Sequence, residues 1–339
     1  MARNRIIPIF VPHLGCPHQC VFCNQRSIAG TLSACTAQDV TAQIEQGIAC
    51  SGNGAEVAFY GGSFTAIPAE QQMELLGAVQ PFLECGAVLG IRLSTRPDAI
   101  DAETICRLRA YGVKTVELGS QSMDDCVLEL CQRGHRAADT ERACSLLQEA
   151  GFSVILQMMT GLPGSTLETD LQTAARMIAL NPDGVRIYPT VVVQGTLLEQ
   201  WHREGNYCPQ TTEDAAACCA KLYRMFEAAE IPVLRMGLQP TEDLSGGKAI
   251  AGPYHPAFGE LVKSRIFYEN ACKLLDQTTA RTVKLLVRSD SVSMMVGQKR
   301  ENLRKLSARY PEKKLKVGVG ACKAWEILLQ TEEKLDKIT

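Results

Sequence analysis

The stretch GCPHQCVFCNQ, residues 15–25, places three cysteines within eight positions in the spacing C-x3-C-x2-C. Cys16, Cys20 and Cys23 can therefore deliver three thiolates from a single loop. Iron–sulfur clusters are normally held by four cysteine thiolates. Three thiolates on a [4Fe–4S] cluster leave one iron with an open coordination site, which can hold and reduce a bound cofactor. The spacing therefore predicts a cluster of this kind.

Zinc and dithiol chemistry are the alternatives for this loop. A structural zinc site takes four nitrogen or sulfur ligands, usually from two C-x2-C pairs, and no second pair stands at a convincing distance. His13 or His18 could supply the fourth ligand. The segment CVFC, residues 20–23, would also allow thioredoxin-like redox chemistry. A second cluster that uses Cys126 and Cys131 is a further alternative.

The whole chain has the composition of an ordinary soluble enzyme. It has 339 residues, of which 46% are hydrophobic and 21% charged. Twelve of its 15 cysteines are scattered outside the motif, and we interpret them as small buried hydrophobic residues in a reducing compartment. No apolar stretch approaches the roughly 20 residues that a membrane-spanning helix needs, and the short apolar run near the N-terminus is broken by Pro8 and Pro12. We therefore expect a cytoplasmic protein with no membrane partner.

Short β-branched runs alternate with amphipathic segments of helical length. The predicted strands are residues 5–11, 56–60, 88–95, 114–118, 153–158, 184–188 and 231–236. The predicted helices are residues 36–49, 69–84, 101–111, 137–150, 166–179 and 213–229. Serial βα units imply parallel strands joined by right-handed crossovers. The predicted fold class is therefore α/β, a partial or near-complete (β/α) barrel with a small C-terminal α/β appendage.

Three regions are expected along the chain. Residues 1–240 form the barrel, residues 241–275 a glycine- and proline-rich loop and a helix that closes it, and residues 276–339 the small basic appendage. The appendage holds 14 Lys+Arg against 8 Asp+Glu, although the net charge of the whole chain is −2. Eight of these lysines and arginines lie in residues 299–316. Such a run is typical of a solvated helix face or of contact with a polyanion.

Glycines and polar residues follow the predicted strands. The motifs are YGGSFT (60–65), STRPD (94–98), ELGSQS (117–122), QMMTGLPG (157–164) and RIYPTVVVQGT (186–196). In (β/α) barrels the active site is built from loops at the C-terminal ends of the strands. The cysteine loop occupies the same position after the first strand. These segments are therefore predicted to form one site.

The C-x3-C-x-aromatic-C motif, the glycine pair after the second strand and the order of the barrel units resemble the radical S-adenosylmethionine (SAM) superfamily over roughly residues 5–240. The resemblance implies an enzyme of the radical SAM barrel type, in which the unique iron of a [4Fe–4S] cluster chelates SAM. Reduction would cleave SAM to a 5′-deoxyadenosyl radical that abstracts hydrogen from a substrate. An electron donor such as flavodoxin or ferredoxin is implied as a partner. The cofactor supplies the chemistry, and the protein orients and shields it.

The resemblance also implies roles for individual residues. Cys16, Cys20 and Cys23 would ligate the cluster. The residues implied in SAM binding are Phe10, Phe22, Gly61, Gly62, Ser63, Ser94, Gln121, Arg133 and Gln157. Ser63 and Ser94 depart from the family, because many relatives carry Glu or Thr at the first position and some carry Glu at the second. Arg133 is expected either to pair with the SAM carboxylate or to lie on a surface helix.

Two branches of the superfamily fit the remaining motifs. The series LGSQS, RGH and GLPG resembles the oxygen-independent coproporphyrinogen oxidases. The segments ELGSQS, RIYPTVVVQGTLLEQW and GPYHPAFGELV resemble the catalytic subunit of Elongator, a tRNA-modifying radical SAM protein. That subunit normally has a longer cysteine spacing and a C-terminal acetyltransferase domain. About 100 residues follow the barrel here, so we expect the radical SAM part without an acetyltransferase.

The resemblance favours RNA, and tRNA in particular, as the substrate. The basic appendage has the charge density to contact phosphates, through Lys299, Arg300, Arg304, Lys305, Lys313 and Lys314. The expected substrate-facing residues of the barrel are Arg186, Tyr188 and His255. For Arg186, a strand arginine that is buried by pairing is an equal alternative. A tetrapyrrole or another small molecule is the alternative substrate. A non-catalytic iron–sulfur scaffold or sensor, whose cluster never cleaves SAM, is the alternative from a different class.

Overall fold

The structure is a computed structural model. It describes residues 5–11, 16–24, 35–241 and 244–331, together with the backbone of residues 335–338. His13, one of the two alternative zinc ligands, lies outside these residues.

The described barrel strands form one open, parallel sheet. Its strands are β1 (Ile6–Phe10), β2 (Ala55–Tyr60), β3 (Val88–Thr95), β4 (Val113–Gln121), β5 (Ser153–Thr160), β6 (Gly184–Pro189) and β8 (Val233–Met236). Each pairs in parallel with the next, so that β1 and β8 are the two edges. Two short strands, β7 (Val192–Val193) and β9 (Ala249–Ala251), form a separate antiparallel pair. The seven predicted strands are confirmed, and the barrel takes its partial form, a curled half-barrel.

Helices connect these strands and cover one face of the sheet. They are α1 (Ala37–Ser51), α2 (Ala69–Gly77), α3 (Gln80–Glu84), α4 (Ala102–Ala110), α5 (Asp125–Leu130), α6 (Ala137–Glu149), α7 (Leu167–Ala179), α8 (Leu197–Arg203), α9 (Thr212–Ala228) and α10 (Phe258–Asp276). Thr36, Asp101, Thr166 and Thr211 cap α1, α4, α7 and α9 by accepting a hydrogen bond from a backbone N–H of the first turn. The short helices α5 and α8 were not predicted.

The predicted helix over residues 69–84 is wrong, because the chain forms α2 and α3 in its place. Pro81 lies in the first turn of α3. Proline has no N–H to donate to the residue four positions earlier, and its ring clashes with that carbonyl. That residue is Gly77, where α2 ends.

The main apolar core lies between the sheet and the helices. Successive side chains of a strand point to opposite faces, and the core takes alternate residues such as Ile9, Phe59 and Leu93. The intervening residues of β1 are exposed, which gives the burial pattern exposed–buried along the strand. The concave face of the half-barrel is therefore left to the other half of the strand residues.

A second, smaller sheet forms the C-terminal appendage. Its strands are β10 (Thr282–Val287), β11 (Lys314–Val319), β12 (Ile327–Thr331) and β13 (Leu335–Ile338), in the order β11-β10-β12-β13. The helices α11 (Val292–Val296) and α12 (Glu301–Arg309) connect β10 to its parallel partner β11, so the appendage is α/β as predicted. The antiparallel strands β12 and β13 were not predicted.

The helix α10 joins the two cores. Val262 and Ile266, in its first half, pack in the barrel core. Phe267 and Leu275, further along, pack in the core of the appendage. Among the helices of the described residues, none combines the length and apolar character needed to span a membrane.

Candidate active site at the carboxyl ends of the strands

The cysteine loop lies just beyond β1. Cys20 is buried, whereas Cys16 and Cys23 are partly exposed. The backbone N–H of Val21 donates to the carbonyl of Cys131 at 3.2 Å, next to the end of α5. Burial, together with the neighbouring Cys20, raises the pKa of the Cys131 thiol to about 12. Cys131 therefore packs beside the motif as a buried thiol.

Arg133 is buried in the loop after α5, which excludes the surface-helix alternative. Its Nη1 donates to Cys20 Sγ at 3.3 Å and its Nη2 to the carbonyl of Gly119 at 2.6 Å. Its own carbonyl accepts a bond from Nη2 of Arg96, a fully buried residue that pairs with Asp98. The guanidinium of Arg133 thus connects the cysteine loop to β4.

The glycine pair after β2 allows close contact with the segment that follows β1. Gly61 has a φ of 113°, and a Cβ at this position would lie 3.0 Å from the carbonyl oxygen of Val11. Glycine is the residue that tolerates both constraints. After Gly62, the buried side chain of Ser63 places its Oγ 3.4 Å from Cys16 Sγ. Ser63, a predicted SAM-binding residue, is therefore in contact with the cysteine motif.

Gln121 and Arg133 lie close together around Gly119. A Cβ on Gly119 would lie 3.0 Å from Gln121 Nε2 and 3.4 Å from Arg133 Nη2. Within the described residues, Gln121 Oε1 and Arg133 Nε are buried and have no hydrogen-bond partner. Buried polar atoms are nearly always satisfied, so this acceptor and this donor indicate a place for a polar ligand. Ser94, also predicted here, is half-buried at the end of β3 and lines a small cavity with Gly62.

The concave face carries a charged network that the sequence analysis missed. Glu117 of β4 is fully buried, at 0% exposure. It accepts hydrogen bonds from Tyr60 Oη at 3.0 Å, Arg92 Nη1 at 3.1 Å, Gln157 Nε2 at 3.0 Å and Arg186 Nη2 at 2.8 Å. One buried carboxylate therefore organises side chains from β2, β3, β5 and β6. The available signal was a glutamate within a largely apolar strand, with an arginine in the neighbouring strand β3 and another in β6.

Arg186 and Tyr188 share this face because they alternate along β6. The guanidinium of Arg186 lies 5.7 Å from the ring centroid of Tyr60. Burial raises the pKa of Tyr60 and of Tyr188, so both remain protonated phenols at neutral pH. Gln157 donates to Glu117 in the same network, and the structure thus brings three predicted residues together on the concave face.

The two predicted aromatic residues differ in their surroundings. Phe10 ends β1, is 42% exposed and pairs in register with Tyr60. Phe22 is partly buried and packs on two apolar clusters, one that includes Val21 and one that includes Val192. Packing therefore restricts the side chain of Phe22, whereas the side chain of Phe10 is exposed on the edge strand β1.

His255 and the basic residues lie away from the cysteine loop in sequence. His255 Nδ1 accepts a hydrogen bond from the backbone N–H of Ala257, just before α10. Lys305 pairs with Glu213 at 3.1 Å and with Glu301 at 3.0 Å.

Lys313 has a side chain only 7% exposed and donates to the carbonyls of Thr278 and Ala280. Five of the six predicted RNA contacts are exposed, namely Lys299, Arg300, Arg304, Lys305 and Lys314. Of these, Lys305 is held in its two ion pairs.

Two protein-family models match the chain. The radical SAM superfamily matches residues 10–177, and the Radical_SAM C-terminal domain matches residues 182–267. Both the cysteine loop and the concave network lie within these matches. The chain belongs to the radical SAM superfamily. It is accordingly an enzyme of the radical SAM type, as the cysteine spacing and the glycine pair predicted.

Curated relatives match parts of this radical SAM protein. A tRNA uridine(34) acetyltransferase of Dehalococcoides mccartyi is 45% identical over 125 residues, 36% of this chain and 27% of that protein. An uncharacterized protein of Methanocaldococcus jannaschii is 31% identical over 207 residues, 57% of this chain and 63% of that protein. Human Elongator complex protein 3 is 28% identical over 164 residues, 44% of this chain and 30% of that protein. The chain thus spans less than two thirds of the length of each.

Solved structures confirm the radical SAM fold. The archaeal Methanocaldococcus infernus Elp3 with an N-terminal deletion aligns with a TM-score of 0.64 at 24% identity, covering 79% of this chain and 63% of that chain. Coproporphyrinogen III oxidase from Escherichia coli aligns with a TM-score of 0.50 at 18% identity, covering 67% of this chain and 53% of that chain. At these identities the likeness concerns the fold alone.

Three thiols of one loop beside the unsatisfied polar atoms of Gln121 and Arg133 fit a three-thiolate cluster with one iron open to a polar ligand. Zinc needs its donors at about 2.0–2.3 Å from one point. Within the described residues, no three His, Cys, Asp or Glu side chains are arranged to hold a single metal ion. His18 packs against Gly134, where a Cβ would collide with its imidazole ring. A [4Fe–4S] cluster takes its thiolates at separate corners, and Arg133 donates a hydrogen bond to the sulfur of Cys20.

His135 is expected to make the stability of the protein depend on pH. Its ring is buried, with Nε2 3.3 Å from the carbonyl of Ser120. Burial, together with the charges of Arg133 and Arg96, lowers its pKa to about 4. In the unfolded chain a histidine has a pKa of about 6.5. Because the pKa is lower in the folded protein, folding disfavours protonation of His135. The stability that depends on the neutral ring is therefore present above about pH 6.5 and is lost as the pH falls towards about 4. Between about pH 7.5 and about pH 5 the loss should be about 2 kcal/mol.

Urea unfolding of the wild type and of His135→Gln at the two pH values measures this contribution. The variant has no imidazole at this position, so its free energy of unfolding should fall by about 2 kcal/mol less than that of the wild type. Equal losses in the two proteins would show that His135 does not carry the effect.

Proposed function

We propose that this protein binds a [4Fe–4S] cluster and SAM and abstracts hydrogen from an RNA substrate, a tRNA. The observation that carries the proposal is the cysteine loop, in which Cys20 receives a hydrogen bond from the buried Arg133 beside two unsatisfied polar atoms. When bound, the cluster would supply the electron that cleaves SAM to a 5′-deoxyadenosyl radical. Every other task falls to the side chains of this chain.

The residues divide into three groups by what they would hold. Cys16, Cys20 and Cys23 would ligate the cluster, and Ser63 and Arg133 would orient the thiolates that they contact. Gly61 and Gly62 would let a ligand approach the end of β2. Gln121 Oε1 and Arg133 Nε would meet polar groups of SAM, with Phe22 lining the same site. Phe10, Ser94 and Gln157 keep their predicted place in SAM binding.

The concave network would hold the substrate. Arg186 and Tyr188 lie on this face with Tyr60, and Glu117 fixes their positions through hydrogen bonds and ion pairs. The phenols of Tyr60 and Tyr188 stay protonated and would donate hydrogen bonds. His255 stays a candidate from the loop that precedes α10.

Two lines support tRNA. Relatives that share 36–45% identity with 36% of this chain are tRNA uridine(34) acetyltransferases by name. The exposed Lys299, Arg300, Arg304 and Lys314 could contact phosphates, so binding would weaken as salt rises. A tRNA substrate would place the enzyme in the cytoplasm, and a flavodoxin or ferredoxin would supply its electrons.

The test is 5′-deoxyadenosine production by protein reconstituted without oxygen, reduced with dithionite and supplied with SAM, with and without bulk tRNA. The matched control is the variant Cys16→Ala/Cys20→Ala/Cys23→Ala, which should form none. Production by the wild type that rises with tRNA is the expected result.

The other outcomes are equally informative. Production that ignores tRNA would keep radical SAM chemistry and favour a tetrapyrrole or another small molecule. A cluster-loaded wild type that forms no cysteine-dependent 5′-deoxyadenosine would overturn the proposal in favour of a scaffold or sensor.

A further inference from the structure

A cleft of about 560 Å³ lies beside the cysteine loop and outside the concave network. Its walls are the loop after β5, the start of α7 and the segment after α8. Leu162 and Trp201 line the cleft and also belong to the apolar cluster on which Phe22 packs. The cleft and the cysteine loop therefore share an apolar wall. Its volume is in the range of small-molecule sites.

Polar groups are fixed in the wall of this cleft. Gln210 Oε1 is buried and, in the part of the chain that the structure describes, has no hydrogen-bond partner. It lies against Gly161, where φ is 68° and a Cβ would be 2.8 Å away. Tyr207 Oη donates to the carbonyl of Gly161 at 2.6 Å, which holds the segment after α8 against the loop.

Asp170 lies at the base of the same loop. It is 4% exposed, and its Oδ2 accepts a hydrogen bond from the backbone N–H of Gly161 at 3.2 Å. Burial raises the pKa of this carboxyl to about 7. It can therefore either donate or accept a hydrogen bond near neutral pH.

The charges around the cleft disfavour an anion. No Lys, Arg or His is found among the described residues that line it. The N-terminus of α7 would attract an anion, but Glu168 places a negative charge in its first turn. An uncharged ring with hydrogen-bonding edges suits Trp201 and Gln210 better. Stacking on an aromatic side chain, with hydrogen bonds to the ring edge, is how proteins hold unstacked nucleobases.

We propose that this cleft binds one uncharged nucleobase, stacked on Trp201 and hydrogen-bonded by Gln210. An unpaired RNA base and a free nucleoside offer the same chemistry. The RNA source rests on the proposed function. Because the cleft shares a wall with the cysteine loop, an RNA base held there would anchor the strand beside the concave face, where a different nucleotide would react.

Trp201 fluorescence tests the proposal. The chain has two tryptophans, and Trp325→Phe leaves Trp201 as the single reporter. Trp325 packs against Tyr223 and Phe267 and does not line the cleft, so the wild type can serve if this variant folds poorly. Reconstituted protein is titrated with the four ribonucleosides, with bulk tRNA, and with ribose 5-phosphate as a base-free control. Saturable quenching by a nucleoside or by tRNA, and none by ribose 5-phosphate, is expected.

A matched pair of variants tests the hydrogen bond. Gln210→Leu keeps a side chain of similar size without the amide and should weaken binding about tenfold. Gln200→Leu, on the exposed side of α8, should bind like the wild type. Quenching by tRNA but by no nucleoside would identify the ligand as a base of RNA. Quenching by a nucleoside would identify it as a free nucleoside.

Three results would overturn the base site: no saturable quenching, equal quenching by ribose 5-phosphate, or an unchanged affinity in Gln210→Leu. Measuring 5′-deoxyadenosine in the same preparations separates the two proposals. If 5′-deoxyadenosine is produced but no base binds, the cleft is excluded as a base site and the proposed function still stands.

Discussion

Glu117→Ala is expected to lower the free energy of unfolding by about 3–5 kcal/mol. Glu117 is fully buried and pairs with Arg92 and Arg186, whose side chains are 11% and 12% exposed. Removing one partner of a buried ion pair leaves the other charge uncompensated in a poorly solvated place. Arg92 keeps Glu56 as a partner at 2.7 Å. Most of the loss should therefore come from the charge of Arg186, which is left uncompensated.

Urea unfolding measures the loss, and two further variants interpret it. Glu103→Ala removes an ion pair with Arg107 from a carboxylate that is 84% exposed, and it should cost no more than about 1 kcal/mol. Glu117→Ala/Arg186→Met removes the stranded charge and should be more stable than Glu117→Ala alone. A Glu117 variant that loses no more stability than the Glu103 variant would contradict the network.

Arg133→Met is expected to weaken SAM binding to the cluster-loaded protein by about 10- to 150-fold. Arg133 contacts Cys20 Sγ and the carbonyl of Gly119 and keeps its Nε unsatisfied beside Gln121. A hydrogen bond that involves a charged group contributes about 1.5–3 kcal/mol. Arg133→Lys should not restore binding, because a single ammonium cannot reproduce the planar fork of the guanidinium.

Equilibrium dialysis with SAM, alongside the iron content of each preparation, measures this effect. Arg142→Met is the matched control, because Arg142 is 52% exposed on α6 and pairs only with the nearby Asp139 among the described ion pairs. Loss of iron together with SAM affinity would show that Arg133 acts first by holding the Cys20 thiolate. Wild-type affinity at wild-type iron content would exclude Arg133 from SAM binding.

Local patterns were enough to predict the strands of the barrel. Most barrel strands are short, largely apolar runs, which is typical of the strands of a parallel sheet covered by helices. The cysteine spacing, the glycine pair and the strand-end motifs are also local. Their common location follows from the topology, because parallel strands place all their carboxyl ends on one side.

The helix breaks and the edge of the appendage were harder to predict. The amphipathic pattern continues through residues 69–84, and Pro81 decides where α2 ends. The strands β12 and β13 belong to a short region in which the pairing of β12 with β10 and of β13 with β12, rather than local pattern, determines the structure.

The amino-acid sequence by itself determined the cluster motif, the parallel half-barrel and the membership of the radical SAM superfamily, because each depends on spacing along the chain. Tertiary structure alone decided that Glu117 joins residues from four strands and that Arg133 is buried against Cys20. Strand register brings together Tyr60, Glu117 and Arg186, which are separated by 57 and 69 positions. Side chains at such separations meet only when the sheet forms, and the low solvation of its concave face is what makes the loss of one charged partner costly.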